Sequence, residues 1–108
     1  MTSHDMKACI DECLTCYRTY LGMVSEHCLP AGGKHVETEH VRLMLACAEL
    51  CRTSAHMMLL GVAEHRQTCR ACAEICEACA ASCEAVGDMD TCVAGCRRCA
   101  ESCRAMAA

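Results

Sequence analysis

The sequence has no phenylalanine and no tryptophan, and only two tyrosines and one proline among its 108 residues. A core built on aromatic rings is excluded, although residues counted as hydrophobic make up 54% of the chain. Long apolar runs are missing as well; no stretch of 18 apolar residues occurs, which argues against a membrane-spanning helix. Positive charge is scarce, with ten Lys and Arg against fourteen Asp and Glu and a net charge of −4. No basic stripe marks a nucleic-acid surface. The first residues, Met1-Thr2-Ser3-His4-Asp5-Met6-Lys7, show no basic segment followed by an apolar one, so no signal peptide is expected. Strand-like alternation of polar and apolar residues is absent.

What fills the gap is cysteine, fifteen of them. Such density in a short chain ordinarily marks a secreted disulfide scaffold. Here the odd count would leave one cysteine unpaired, and the cysteines lie among Ala and Glu rather than in Gly/Pro loops. A reduced chain in the cytoplasm is the better expectation. At this length one domain, residues 1–108, is expected.

Leu29-Pro30-Ala31-Gly32-Gly33 is the strongest breaker cluster, with weaker punctuation at Gly61 and Gly87-Asp88. Four helical segments follow, roughly residues 4–28, 37–60, 63–86 and 89–106. The short links make neighbours antiparallel, which predicts an all-α, up-down-up-down four-helix bundle.

Cysteine spacing then says what the bundle contains. The third segment carries Cys69, Cys72, Cys76, Cys79 and Cys83, and the fourth Cys92, Cys96, Cys99 and Cys103. The first opens with Cys9, Cys13 and Cys16, and the second holds Cys47 and Cys51. Steps of three and four residues are those of the inward seam of a bundle, normally Leu and Ile. Extended by the same steps, the first seam reads Met6, Cys9, Cys13, Cys16, Tyr20, Met23, His27. The second reads His40, Met44, Cys47, Cys51, Ser54, Met58. The third runs from His65 through its five cysteines to Val86, and the fourth from Met89 through its four to Met106. Apart from Tyr20, Ser54 and Val86, every seam position is Cys, Met or His.

Free cysteine packs as a small hydrophobe and methionine fills gaps, so any one of these residues fits an ordinary core. Fourteen cysteines on one face of four helices do not, because thiols pack loosely and specify a core poorly. Thiolate and thioether are soft ligands that select Cu(I), zinc or iron–sulfur clusters. The C-x2-C-x3-C repeat differs from the ferredoxin pattern, and zinc sites stop at four ligands. Cu(I) takes two or three sulfurs, and a thiolate bridges two ions, which gives a capacity on the order of one ion per cysteine. Methionine on the same seams favours copper further. A zinc or iron–sulfur module and a CxxC redox protein are the competing readings. The redox reading needs an exposed low-pKa thiol at a helix N-terminus, whereas these lie mid-helix and inward.

The runs Cys69-Arg-Ala-Cys72-Ala-Glu-Ile-Cys76-Glu-Ala-Cys79-Ala-Ala-Ser-Cys83 and Cys92-Val-Ala-Gly-Cys96-Arg-Arg-Cys99-Ala-Glu-Ser-Cys103 closely resemble the bacterial copper storage proteins. Cys9-x3-Cys13-x2-Cys16 and His40-x3-Met44-x2-Cys47-x3-Cys51 extend the likeness over nearly the whole chain. The resemblance implies a thiol-filled bundle that stores or sequesters many Cu(I) ions without catalysis. It also implies tetrameric assembly and a copper entrance at one His/Met-lined end; some relatives are exported, and without a leader this chain resembles the cytosolic branch, with a copper chaperone as a candidate partner.

Two ends compete for that entrance. One gathers Met23, His27, His40, Met44 and Met89 around Cys83 and Cys92; the other gathers Met6, Met58, His65 and Met106. The first is favoured because two seam histidines meet there and His40-x3-Met44 leads into Cys47 and Cys51. Cys28 falls off the seam, as a mouth ligand, a surface thiol or neither. His4, His35 and His56 are off the seam and expected on the surface. A second apolar stripe, Ile10, Leu14, Tyr17, Leu21 and Val24, with Leu43, Leu50 and Met57, suits outer core or a subunit interface.

Overall fold

The computed structural model describes residues 3–108, with side chains described from Asp5 onward; His4 therefore lies outside the described side chains. Four long helices form: α1 (Ser3–Met23), α2 (Thr38–Leu60), α3 (His65–Val86) and α4 (Asp90–Ala107). No strand occurs among the described residues. Acidic residues in the first turns of α1, α2 and α4 (Asp5, Glu39 and Asp90) complement the positive end of each helix dipole. Gly61 ends α2 in the left-handed region at φ 76°, with its N–H on the Met58 carbonyl.

The end of the first helix differs from the expectation. The chain does not break at Leu29 but continues through a wide π turn, Val24–Cys28, into a last helical turn, Leu29–Ala31. Pro30 explains the wide turn. Its ring lacks an N–H and would crowd the carbonyl of Glu26 in a regular helix. The Leu29 N–H instead reaches back five residues to the Val24 carbonyl. A π turn adds one residue per turn and so rotates everything beyond it. The buried row of α1 therefore continues Tyr20, Val24, Cys28, while Met23 and His27 sit only partly buried. A short 3-10 turn, Gly33–Val36, then leads into α2.

α1 packs on α2 and α4, and α3 packs on the same two, so α1 and α3 face each other across the core. The bundle measures 43 × 19 × 19 Å between Cα atoms. Ala48, Ala55, Ala73, Ala80 and Ala100 are buried between helices, where their small side chains permit close approach. By length and composition α2 would pass as a membrane span. Its His40, Met44, Cys47, Cys51, Ser54 and Met58 are nevertheless buried, the face a core helix turns inward. The outer surface carries inter-helix ion pairs, Arg97–Glu84, Arg104–Glu77 and Arg98–Glu12, each solvent-screened and adding little stability.

Candidate metal centre

All fifteen cysteines are free, and none is more than 2% exposed. The inward seam of every helix is therefore sulfur, as the spacing requires. Between the neighbouring helices α1 and α4, Cys13 Sγ lies 3.5 Å from Cys103 and 3.8 Å from Cys99. Cys47 lies 3.5 Å from Cys76, and Cys51 lies 3.7 Å from Cys72 and 3.8 Å from Cys99. Cys9 closes the row at 3.9 Å from Cys103.

These separations suit a metal better than a disulfide. A disulfide needs sulfurs about 2.05 Å apart. With metal–thiolate bonds of about 2.3 Å, a trigonal ion spans sulfurs about 4.0 Å apart and a linear one about 4.6 Å. Three groups of thiols have all their sulfurs within 4.8 Å of one another: Cys13, Cys72, Cys99 and Cys103; Cys51, Cys72, Cys76 and Cys99; and Cys47, Cys79 and Cys96. The first two share Cys72 and Cys99, so thiolates that bridge two ions are already placed. The donor set is soft throughout and fits Cu(I).

Without a metal the thiols hydrogen-bond to one another. Cys51 is pushed up by bonds with Cys16 and Cys47, among others, and by burial. Cys103 is pushed up by bonds with Cys13, Cys69, Cys72 and Cys9. Such thiols stay neutral and serve as core. Other thiols go the opposite way: bonds from Cys79 and Cys92, with His40 nearby, hold Cys83 down at about 4, and bonds from neighbouring thiols also lower Cys9, Cys47, Cys72 and Cys99. Sulfurs ready to bind without first losing a proton thus occur along the whole row, Cys83 at one end and Cys9 at the other.

That end brings His40, Met44, Met89, Cys83 and Cys92 into the buried core. Met44 Sδ lies 3.5 Å from both Cys79 and Cys83, so it joins the mouth to the thiol row. His40 Nδ1 is 2.8 Å from Ser82 Oγ, and its Nε2 is 3.8 Å from Cys28 Sγ. In the tautomer that carries its proton on Nδ1, His40 donates to Ser82 and turns the Nε2 lone pair to the thiols, as a metal-binding imidazole requires. A surface groove of about 260 Å³, lined in part by Lys34, Glu37, His40 and Ser82, reaches this ring from outside.

Three residues of this end stand elsewhere than the seams placed them. Met23 packs against the edge of the core. His27 is turned away from the thiol row by the π turn, and its Nε2 lies 4.0 Å from Asp88. Cys28 takes the inward place, fully buried, its thiol pushed up by burial and by the neighbouring Cys83. Ser82 was not foreseen at all; a serine one residue before a seam cysteine carries no sequence signal. At the opposite end His65 is also buried, and its Nδ1 donates to the Val62 carbonyl at 2.8 Å, leaving Nε2 as acceptor.

Tyr20 and Ser54 interrupt the row. The Tyr20 hydroxyl is pushed up by burial and by Cys96 and Cys16, so it stays protonated and donates to Cys16 Sγ at 3.2 Å. The Ser54 hydroxyl is buried with no partner.

Fold and site together define a thiol-lined four-helix bundle built for soft metal ions. The family profile described as copper storage protein matches residues 2–108, and the chain belongs to that family. It is 56% identical to the Nmul_A1745 protein of Nitrosospira multiformis, whose crystal structure superposes with a TM-score of 0.96 over 98% of this chain and 97% of that one. The Cu(I)-bound copper storage protein BsCsp3 is 33% identical, with a TM-score of 0.87 over 96% of this chain and 99% of that one. Apo-Csp3 from Bacillus subtilis is 31% identical, with a TM-score of 0.83 over 94% and 98% of the two chains. A search among curated proteins finds no match.

Proposed function

We propose that residues 1–108 form one Cu(I)-storing domain in which the inward thiolates hold about one ion per cysteine. The observation that carries this is the overlap of the buried thiol groups, in which Cys72 and Cys99 each belong to two prospective metal positions. The ligand row is Cys9, Cys13, Cys16, Cys47, Cys51, Cys69, Cys72, Cys76, Cys79, Cys83, Cys92, Cys96, Cys99 and Cys103. Cys28, His40, Met44 and Met89 receive copper at the mouth. Binding releases thiol protons, so uptake is pH-dependent, and nothing in the row calls for catalysis.

The likeness to a protein described as Cu(I)-bound supports the choice of metal. Fifteen free thiols support a reducing compartment, the cytoplasm. Leu14 and Leu21 on α1, 37% and 40% exposed, and Leu45 on α2, 44% exposed, support assembly with further copies, a tetramer by family likeness. A copper chaperone is the natural donor or acceptor. The deciding experiment is an anaerobic Cu(I) titration against a competing chelator. Saturation on the order of fifteen ions per chain is expected; saturation at one or two ions overturns the proposal.

A further inference from the structure

Cys16 is the one cysteine of the chain that is not wholly buried; it is 2% exposed and the others 0%. It lines a cavity of about 100 Å³ between α1 and α4, whose rim carries the exposed Thr15, Thr91 and Arg98. This cavity is the lateral approach of solvent to the thiol row. The Cys16 sulfur is engaged there by two groups that are not thiols. It donates to the Gly95 carbonyl at 3.4 Å and accepts from the Tyr20 hydroxyl at 3.2 Å. Toward the axis it faces Cys51 and Cys99, but none of the three groups of converging thiols includes it. Tyr20 is fully buried one turn further along α1, at a seam position where the spacing calls for another ligand. A phenol is protonated at neutral pH, and as an oxygen donor it is too hard for Cu(I). What it brings to the row is a hydrogen-bond donor.

We infer that Tyr20 is a positioning residue for copper retention: in the loaded row its hydroxyl donates to the Cys16 thiolate and holds that sulfur as a terminal ligand of one Cu(I). The inference rests on the Cu(I)-storage reading. On loading, Cu(I) replaces the Cys16 proton, which leaves to solvent, so the bond to the Gly95 carbonyl is lost. The bond from Tyr20 remains and becomes charge-assisted, about twice as strong as a neutral one. Tyr20 therefore stabilises the loaded state more than the empty one, which is what a group must do to favour retention. It also occupies a lone pair that a bridging thiolate would give to a second ion. The bridged row thus stops at Cys16 and does not run out into the cavity, where water and small chelators would reach the metal.

The test compares the parent with Tyr20→Phe, which keeps the ring and removes only the hydroxyl. Each is filled with Cu(I) anaerobically and then stripped by a competing chelator. The variant should take up as many ions as the parent but hold about one of them roughly tenfold more weakly. Tyr17→Phe, which alters a ring packed on the core from outside the seam, is the control and should match the parent. Far-UV circular dichroism confirms that each protein is folded. A second readout needs no change at Tyr20. The chain has two tyrosines, so Tyr17→Phe leaves Tyr20 as its only phenol. With tyrosine labelled with carbon-13 at the ring carbon that bears the oxygen, its NMR resonance should move downfield as diamagnetic Cu(I) fills the row. A tyrosine that serves packing alone would keep its apo shift. A parent that saturates at one or two Cu(I) overturns the storage reading and this inference with it. A parent that fills as expected, with the Tyr20 resonance unmoved or with Tyr20→Phe holding every ion as tightly, overturns this inference alone.

Discussion

At the scale of single residues, the row is a compromise between packing and chemistry, and Ser54 shows where the compromise was left open. Serine and cysteine differ by one atom, and the Ser54 hydroxyl is buried without a partner on the same face as Cys47 and Cys51. An unsatisfied buried hydroxyl costs about 1–3 kcal/mol, and a thiol tolerates an apolar setting far better. Ser54→Cys should therefore stabilise the apo protein by about 1 kcal/mol in urea unfolding under reducing conditions. It should also raise Cu(I) capacity by about one ion, because the thiol row then continues a further turn along α2. Capacity unchanged in a competitive titration would mean that Ser54 faces a gap the metal row does not reach. Tyr20 is a different interruption, since its hydroxyl donates to Cys16. It is a partner of the row and not a flaw in it.

At the scale of elements, the spacing of cysteines made α3 and α4 legible almost residue by residue. Their seams run without an irregularity from His65 to Cys83 and from Cys92 to Met106, and each of those seam residues is buried. Short glycine links fixed the antiparallel order. The end of α1 was not legible, for a physical reason. Periodicity assumes a constant turn, and Pro30 forces one wide turn that shifts the register by a residue. The inward place read for His27 is taken instead by Cys28, which the spacing puts off the seam. Pro30→Ala should remove that cause. With a regular helix restored, Cys28 rotates toward solvent and becomes open to alkylation in the reduced apo protein, whereas in the parent it is fully buried and protected. Mass mapping of the alkylated chain checks this. A Cys28 that stays protected would show that tertiary packing against His40, and not the proline, holds the π turn.

Hydrogen-bond partners were equally out of reach of the sequence. Ser82 sits on α3 beside the seam, and only the packing of α2 on α3 puts its hydroxyl against His40. The same holds for the edge-to-face meeting of the His27 and His35 rings, which depends on the π turn and the 3-10 turn together.

For the whole molecule, a core of thiols makes stability a function of pH in two opposing windows. Cys83 is held down at about 4, against an ordinary value of 9.0. Between those values the unfolded chain carries a proton there that the folded chain lacks, so stability rises with pH from about 4 to 9. Cys16 and Cys69 behave oppositely. Cys51 lowers the Cys16 thiol, but Cys99 and burial outweigh it and push it up to about 12. Cys103 lowers Cys69, yet Cys9 and burial push that thiol up to about 12 as well. Above pH 9 the unfolded chain has lost these protons and the folded chain has not, so stability falls through pH 12. Each titrating group contributes a slope of about 1.4 kcal/mol per pH unit. Anaerobic urea midpoints of the apo protein should therefore peak near pH 9, and Cys83→Ser should make the acid limb shallower but not abolish it, because Cys9, Cys47, Cys72 and Cys99 are held down as well. A midpoint that climbs steadily past pH 10 would contradict the buried, neutral thiols.

Copper traffic is also a property of the whole bundle, because the row has two ends and both carry a buried histidine with its Nε2 available. The ends differ in what surrounds that nitrogen. At one, His40 faces Cys28, a groove reaches its ring from the surface, and Cys83 is already low enough to ionise at neutral pH. At the other, His65 is capped by the Val62 carbonyl beside Met58 and Met106, each only 2% exposed, although Cys9 there is also held down, by bonds from Cys103, Cys13 and Cys69. Imidazole and thioether bind Cu(I) less tightly than thiolate, so a His/Met cluster favours capture and transfer over retention. Replacing His40, Met44 and Met89 together by Leu should slow Cu(I) uptake and removal by a chelator several-fold, while capacity falls by no more than the few ions those residues touch. The matched replacement of Met58, His65 and Met106 by Leu should leave both rates nearly unchanged. Stopped-flow exchange with a chromophoric Cu(I) chelator distinguishes the two ends. Slowing confined to the second set would place the entrance at the His65 end and leave Cys28 and His40 as the closed bottom of the tube.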